Sequence, residues 1–151
     1  KKIAIDGYDG VLHLDIKPGN ILIAKKGEVK VIDYGISQGT DEERGEKIMG
    51  SPMYMTPEQL DINAELNPQT DIYALGVLLH HMVTGDTPYS RKSTKEEIFN
   101  EIKNKPLKRI TEIYPFADSR LQIIIDKATE KFPHNRYKDC NEFLTALEEL
   151  N

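Results

Sequence analysis

The chain has one cysteine, Cys140, in 151 residues, and no tryptophan. A lone cysteine excludes an internal disulfide framework and fits a reducing, cytoplasmic compartment. By residue type it reads as a small buried apolar side chain. Excess positive charge is also missing: 20 Lys and Arg stand against 25 Asp and Glu, for a net charge of −5. That argues against nucleic acid or an anionic membrane as a partner. The longest apolar run, "IYALGVLLHHMV" at 72–83, is shorter than the about 20 residues a bilayer crossing needs. The opening "KKIAIDGYDG" has two lysines but no apolar core of a signal peptide. No membrane contact is expected from this segment.

What is present suits one folded domain: 38% apolar and 30% charged residues. "ILIAKKGEVKVI", residues 21–32, places two β-branched runs about a Lys26-Gly27 turn and predicts a hairpin. Residues 33–56 show no sustained period and predict a long surface loop. Beyond it the pattern is helical. Residues 70–84 put Ile72, Leu75, Gly76, Leu79 and Val83 on one face, with Val77 and Leu78 off it. Such a helix is apolar nearly all round and central, and Gly85 stops it. Thr94 and Glu97 form a capping box before Ile98 and Ile102. Leu121, Ile124, Ile125 and Ala128 make one stripe; Cys140, Phe143, Leu144 and Leu147, behind an Asp139 cap, make another. The expected fold is mainly α, about five helices, with one small β-hairpin.

The polar residues are concentrated in "VLHLDIKPGNILI", 11–23. His13, Asp15, Lys17 and Asn20 enter the hairpin, and Asp33 follows its exit. A hairpin brings its ends together, so Asp15, Asn20 and Asp33 should converge. Two carboxylates and an amide oxygen suit a hard cation such as Mg²⁺, which binds through one or two carboxylates plus phosphates. With a lysine nearby, this inventory suggests phosphoryl transfer.

"HLDIKPGN" resembles the catalytic loop of the eukaryotic-type Ser/Thr protein kinases, and "DYG", 33–35, resembles their metal-binding triplet. "GSPMYMTPE", 50–58, resembles the end of their activation segment. "TDIYALGVLLHHMVTGDTPY" is similar to the central helix of the C-lobe, and "KFPHNRYKD" to its late arginine segment. The resemblance implies a kinase-like C-lobe, residues 1–151, cut from a two-lobed α+β parent. It implies Asp15 as catalytic base and Lys17 near the γ-phosphate, with a preference for Ser/Thr substrates. Asn20 and Asp33 would hold Mg²⁺, or Mn²⁺, and Leu22 would lie under the adenine of ATP. His13, Tyr34 and Gly35 would be structural. Ser51 would steady Asp15 and Lys17, Glu58 would pair with Arg136, and Asp71 would anchor the catalytic loop.

The sequence also departs from that pattern. Leu14 stands where most of these kinases have an arginine that grips a phosphorylated residue, a contact leucine cannot make. There is no Gly-x-Gly-x-x-Gly loop; "GYDG" is only Gly-x-x-Gly. The N-lobe is therefore expected to be absent. The missing part, or a partner protein, should cover an apolar surface left bare along 70–84. The partners would be ATP and a protein substrate, and this segment alone is expected to be inactive. A pseudokinase-like interaction module and a small-molecule phosphotransferase are the alternatives. The four intact polar residues weigh against the first; "MTPEQL" and Asp71 weigh against the second.

Overall fold

The structure, a computed structural model, describes residues 10–34, 38–39 and 50–150. Gly35, Ser37, Thr40 and the charged run 40–47 lie outside the described residues. Strands β2 (Ile21–Ile23) and β3 (Val29–Val31) form the expected antiparallel hairpin. Its register is Ile21↔Val31, Leu22↔Lys30 and Ile23↔Val29. The turn needs Gly27, whose φ of 82° lies in the left-handed region.

A second antiparallel pair was not expected. β1 (Val11–Leu12) pairs with β4 (Gln38–Gly39), inside the stretch that predicts only loop. A two-residue strand is too short to leave a period in the sequence.

Five α-helices follow among the described residues: α1 (Pro68–Thr84), α2 (Lys95–Asn104), α3 (Ile110–Ile113), α4 (Ser119–Ala128) and α5 (Cys140–Glu148). α1 starts at a reciprocal cap. The Asn67 side chain accepts from the Gln69 N–H, and Thr70 Oγ1 accepts from the Asn67 N–H. It ends at Gly85, φ 80°, whose N–H reaches the His81 carbonyl. The Thr94–Glu97 capping box forms on α2, and Asp139 caps α5.

α1 is the axis of the fold. On one side Tyr73 and Val77 pack with Ile98 and Ile102 of α2 and with Ile125 of α4. On another, Ile72 packs with Ile124, Ala128 and Phe143. On a third, Ala74 and Leu78 meet Ile16 and Ile21, which ties the residues before and within the hairpin to the helices. The crossing of α1 and α4 is close. A Cβ on Gly76 would stand 2.8 Å from both Ala128 Cβ and Thr129 Cγ2.

Three expectations are corrected. Cys140 is exposed rather than buried, and Leu144 is half-exposed. α5 turns Phe143, Ala146 and Leu147 to the core, and Leu150, just past its end, packs there too. Leu144 sits one residue, about 100°, round from Phe143, and Cys140 lies in the uncovered first turn. The bare surface expected along α1 is also absent: its one exposed large apolar side chain is Met82. On and beside the hairpin, Leu22, Ile23, Val29, Val31, Ile32 and Tyr34 are exposed, and on the helical side Ile62, Phe116, Ile123 and Phe132 are exposed as well. None of the described helices is long and apolar enough to cross a membrane.

Candidate active site

The loop of residues 13–17 is fixed from below by α1. Asp71, in its first turn, accepts the His13 N–H through Oδ2 at 2.7 Å and the Leu14 N–H through Oδ1 at 2.8 Å. Burial pushes the Asp71 carboxyl above its ordinary pKa, against the pull of those two donors. Leu14 has φ 65°, a left-handed conformation that a branched side chain rarely adopts. It is held there at both ends: its N–H by Asp71, and its carbonyl by Gln59 Nε2 at 2.9 Å.

This kink presents Asp15 to four donors. Oδ1 accepts the Ser51 N–H at 3.0 Å and the Ser51 hydroxyl at 2.7 Å. Oδ2 takes Lys17 Nζ at 2.8 Å and Asn20 Nδ2 at 3.1 Å. A carboxylate has about four lone-pair positions, so all are filled. Burial acts to raise the Asp15 pKa, but the bonds from Lys17, Ser51 and Asn20, with the lysine's charge, outweigh it and hold the carboxyl below its ordinary value. Lys17 Nζ also contacts Ser51 Oγ at 2.6 Å, so Ser51 bridges Asp15 and Lys17.

The hairpin exit is locked to the same loop through Ile32. Its N–H donates to the Asn20 carbonyl at 2.9 Å, and its carbonyl meets His13 Nε2 at 3.0 Å. The other His13 nitrogen, Nδ1, accepts the Asp15 N–H at 3.2 Å. Nε2 therefore carries the ring proton and donates to Ile32. The ring also packs on Tyr34, centroids 4.7 Å apart. The next residue, Asp33, has φ 64° and is exposed. Asp15, Asn20 and Asp33 thus gather at one end of the hairpin. The Asn20 amide nitrogen is engaged by Asp15 Oδ2 and by the Asp15 carbonyl at 2.8 Å. Its side-chain oxygen is of the type that could ligate a hard cation. Among the described residues, no cluster of three or more His, Cys, Asp or Glu would hold a metal alone. A site of this kind suits an ion that arrives with phosphates. Leu22, half-exposed on β2, pairs with Lys30 across the hairpin.

Glu58 and Arg136 meet as a buried bidentate pair, Nη1–Oε1 at 2.6 Å and Nη2–Oε2 at 2.8 Å. The remaining arginine donors reach the carbonyls of Gln69, Glu130 and Lys131. The pair fastens the 50–60 segment, and with it Ser51, to α1 and the residues before α5. Gln59 was overlooked. Its side chain and that of Thr56 cap each other's backbone N–H at 3.1 Å, and the Gln59 amide then grips Leu14. The signal was present as "TPEQ", the capping-box spacing.

Comparison with known sequences agrees with this geometry. The protein kinase domain family matches residues 8–150. A probable serine/threonine-protein kinase of Clostridium perfringens is 37% identical over 146 residues, covering 93% of this chain and 21% of that protein. Serine/threonine-protein kinase PknB of Mycolicibacterium smegmatis is 30% identical over 146 residues, 91% of this chain and 23% of its own length. Tyrosine-protein kinase MasK of Myxococcus xanthus is 35% identical over 141 residues, 91% of this chain and 22% of its own. The chain spans about a fifth of the length of these relatives. With its mainly helical fold and the loop built around Asp15, the chain belongs to the protein kinase domain family.

Proposed function

We propose that this segment is the C-lobe of a protein kinase catalytic domain, from the catalytic loop onward. The whole protein then transfers the γ-phosphate of ATP to a serine or threonine hydroxyl of a protein. The observation that supports this best is Asp15: an ionised carboxylate with every lone pair engaged, beside Asn20 and Asp33 at a hairpin mouth.

Asp15 is the base. It takes the hydroxyl proton as the substrate oxygen bonds to the γ-phosphorus and the bond to the departing ADP oxygen breaks. Its four donors leave no lone pair for that hydroxyl, so one must move. Lys17 is the mobile one, because a bound γ-phosphate attracts its ammonium more strongly than a single carboxylate does. Its departure frees Oδ2, while Ser51 keeps the carboxylate oriented. Asn20 and Asp33 would hold Mg²⁺, or Mn²⁺, which when bound would supply positive charge beside the phosphates. His13 serves the site by clamping Ile32 and so fixing Asp33. Leu22 lies under the adenine. The exposed hairpin is the surface that the rest of the catalytic domain covers, so the isolated segment binds ATP poorly and does not turn over.

The test uses the full-length protein with Mg·ATP and peptides bearing Ser, Thr or Tyr. Asp15→Asn is expected to lower kcat by about 10²-fold or more, with the circular dichroism spectrum unchanged. Undiminished turnover overturns the assignment of the base. Steady kinase activity from the isolated 151 residues overturns the claim that the segment is incomplete. The name of the Myxococcus relative makes the Tyr peptide a necessary arm; transfer to it alone replaces the Ser/Thr reading.

A further inference from the structure

Beside Lys17 the surface opens into a pocket of about 330 Å³ that the chemistry above does not use. Pro18 and Gly19 line it next to Lys17. Its walls are Met53 and Tyr54 from the 50–60 segment, His81 from α1, and Thr87 and Arg91 from the loop after α1. None of the lining residues is acidic. Lys17 and Arg91 are cations, and His81 adds an imidazole ring. The His81 ring is not loose: Nδ1 lies 2.6 Å from the Tyr54 hydroxyl, and the two rings stack at 6.3 Å. Burial raises the Tyr54 phenol above its ordinary pKa, against the pull of the nearby Arg91 charge.

Among the described residues Arg91 bonds to Asp86, which lies outside the pocket lining. Nε and Nη2 both donate to its Oδ1, at 3.1 and 2.9 Å. The two side chains are 72% and 54% exposed. Such pairs contribute little, so the guanidinium can turn to another carboxylate at low cost. The Asp86 oxygen is also committed to the Thr87 N–H at 2.8 Å, which keeps it at the turn.

We propose that this pocket selects protein substrates carrying an aspartate or glutamate close to the acceptor hydroxyl, with His81 and Arg91 as the specificity-determining residues. The inference rests on the kinase reading, because it places the acceptor hydroxyl at Asp15, whose partner Lys17 forms the near wall. An extended peptide advances about 3.4 Å per residue, so a side chain roughly two to three residues from the acceptor reaches the pocket. A carboxylate there meets the Arg91 guanidinium and the His81 ring, with the Lys17 ammonium at the near edge. A lysine or arginine there meets like charge and no acceptor carboxylate in the lining. Met53 and the Tyr54 ring give the stem of a glutamate an apolar wall.

The experiment uses the full-length protein and a peptide series with one acceptor and Glu, Gln or Lys placed at each of the three positions on either side. At one or two positions, the Glu peptide is expected to show a KM about tenfold below the Lys peptide, with kcat little changed. In a His81→Glu/Arg91→Glu variant that order is expected to invert. Equal KM values across the series, or an order unchanged in the double variant, overturn the proposal. A parallel titration follows fluorescent peptides whose acceptor is alanine. It reads the same Glu-over-Lys order in Kd without turnover. Phosphorylation of no peptide, with that binding order intact, overturns the kinase reading and leaves the acidic pocket standing. Loss of the order in both assays overturns the pocket alone if peptides are still phosphorylated.

Discussion

The Arg136 side chain is fully buried and each of its five N–H groups has an acceptor, whereas Ile23, on the hairpin, is 74% exposed. Both regions flank the same site. The helical side closes on itself: α1, α4 and α5 share a core, and Glu58–Arg136 pins the 50–60 segment to it. The hairpin is fixed only at its root, where Ile32 is held by Asn20 and His13 and where Ile21 meets Ala74 and Leu78. Its far end shows Ile23 and Val29 to solvent. Asp15 therefore stands on a buried, hydrogen-bonded foundation, while the hairpin strands show their apolar side chains to solvent. Substitutions on the two sides should differ in size and in what they depend on.

The largest effect is expected at Arg136. Arg136→Met leaves the Glu58 carboxylate buried without its counter-charge and strips donors from three carbonyls. Losing one partner of a buried pair costs about 3–5 kcal/mol, measurable as a lower urea midpoint in the isolated chain. Pairing it with Glu58→Leu should recover much of the loss, because two apolar side chains remove the stranded charge as well. A single substitution with no effect on the midpoint would mean that the helical side does not depend on this clamp.

A smaller loss is expected at Gly76, where two rules oppose each other. Glycine to alanine inside a helix gains about 1 kcal/mol from propensity. The new methyl, however, would stand 2.8 Å from Ala128 Cβ and Thr129 Cγ2. Overpacking a core costs about 1–3 kcal/mol, and Ala128 has no flexible end to yield. Gly76→Ala is therefore expected to destabilise by about 1 kcal/mol or more. Adding Ala128→Gly should relieve the crowding. A stabilised Gly76→Ala would show that α1 and α4 can part without cost.

The same contrast explains what the sequence discloses. Local rules were readable: the Thr94–Glu97 box, the Gly85 stop, the Asp139 cap and the hairpin turn at Gly27 each depend on residues a few positions apart. The loop around Asp15 was readable for a different reason: polar side chains packed that densely between two apolar runs stand out by residue type. What escaped depends on long-range geometry. β4 is too short to show a period. The side to which Cys140 and Leu144 turn depends on how α5 rolls against Ile72 and Ile124. The Ile32 clamp uses only backbone groups and a ring nitrogen, which leave no mark on residue type. The bare surface was expected along α1 because the absent part of the fold would pack there. The helices α2 and α4 and the loop around Ile16 already cover it.

The smallest effect in the isolated chain, and the sharpest contrast, is expected at the tip of the hairpin. Ile23→Ala removes a side chain that is 74% exposed, so the change in stability should stay within about 0.5 kcal/mol. In the full-length protein the same side chain is covered if the hairpin is completed as proposed. Losing buried apolar area then costs about 1–3 kcal/mol, and ATP affinity falls with it because Leu22 shares the strand. Arg136→Met serves as the control, since its surroundings lie within this segment and its cost should be alike in both lengths. Equal small effects of Ile23→Ala in the two proteins would mean that the hairpin stays open in the whole protein. The exposed strand face would then be a property of the protein rather than of the segment.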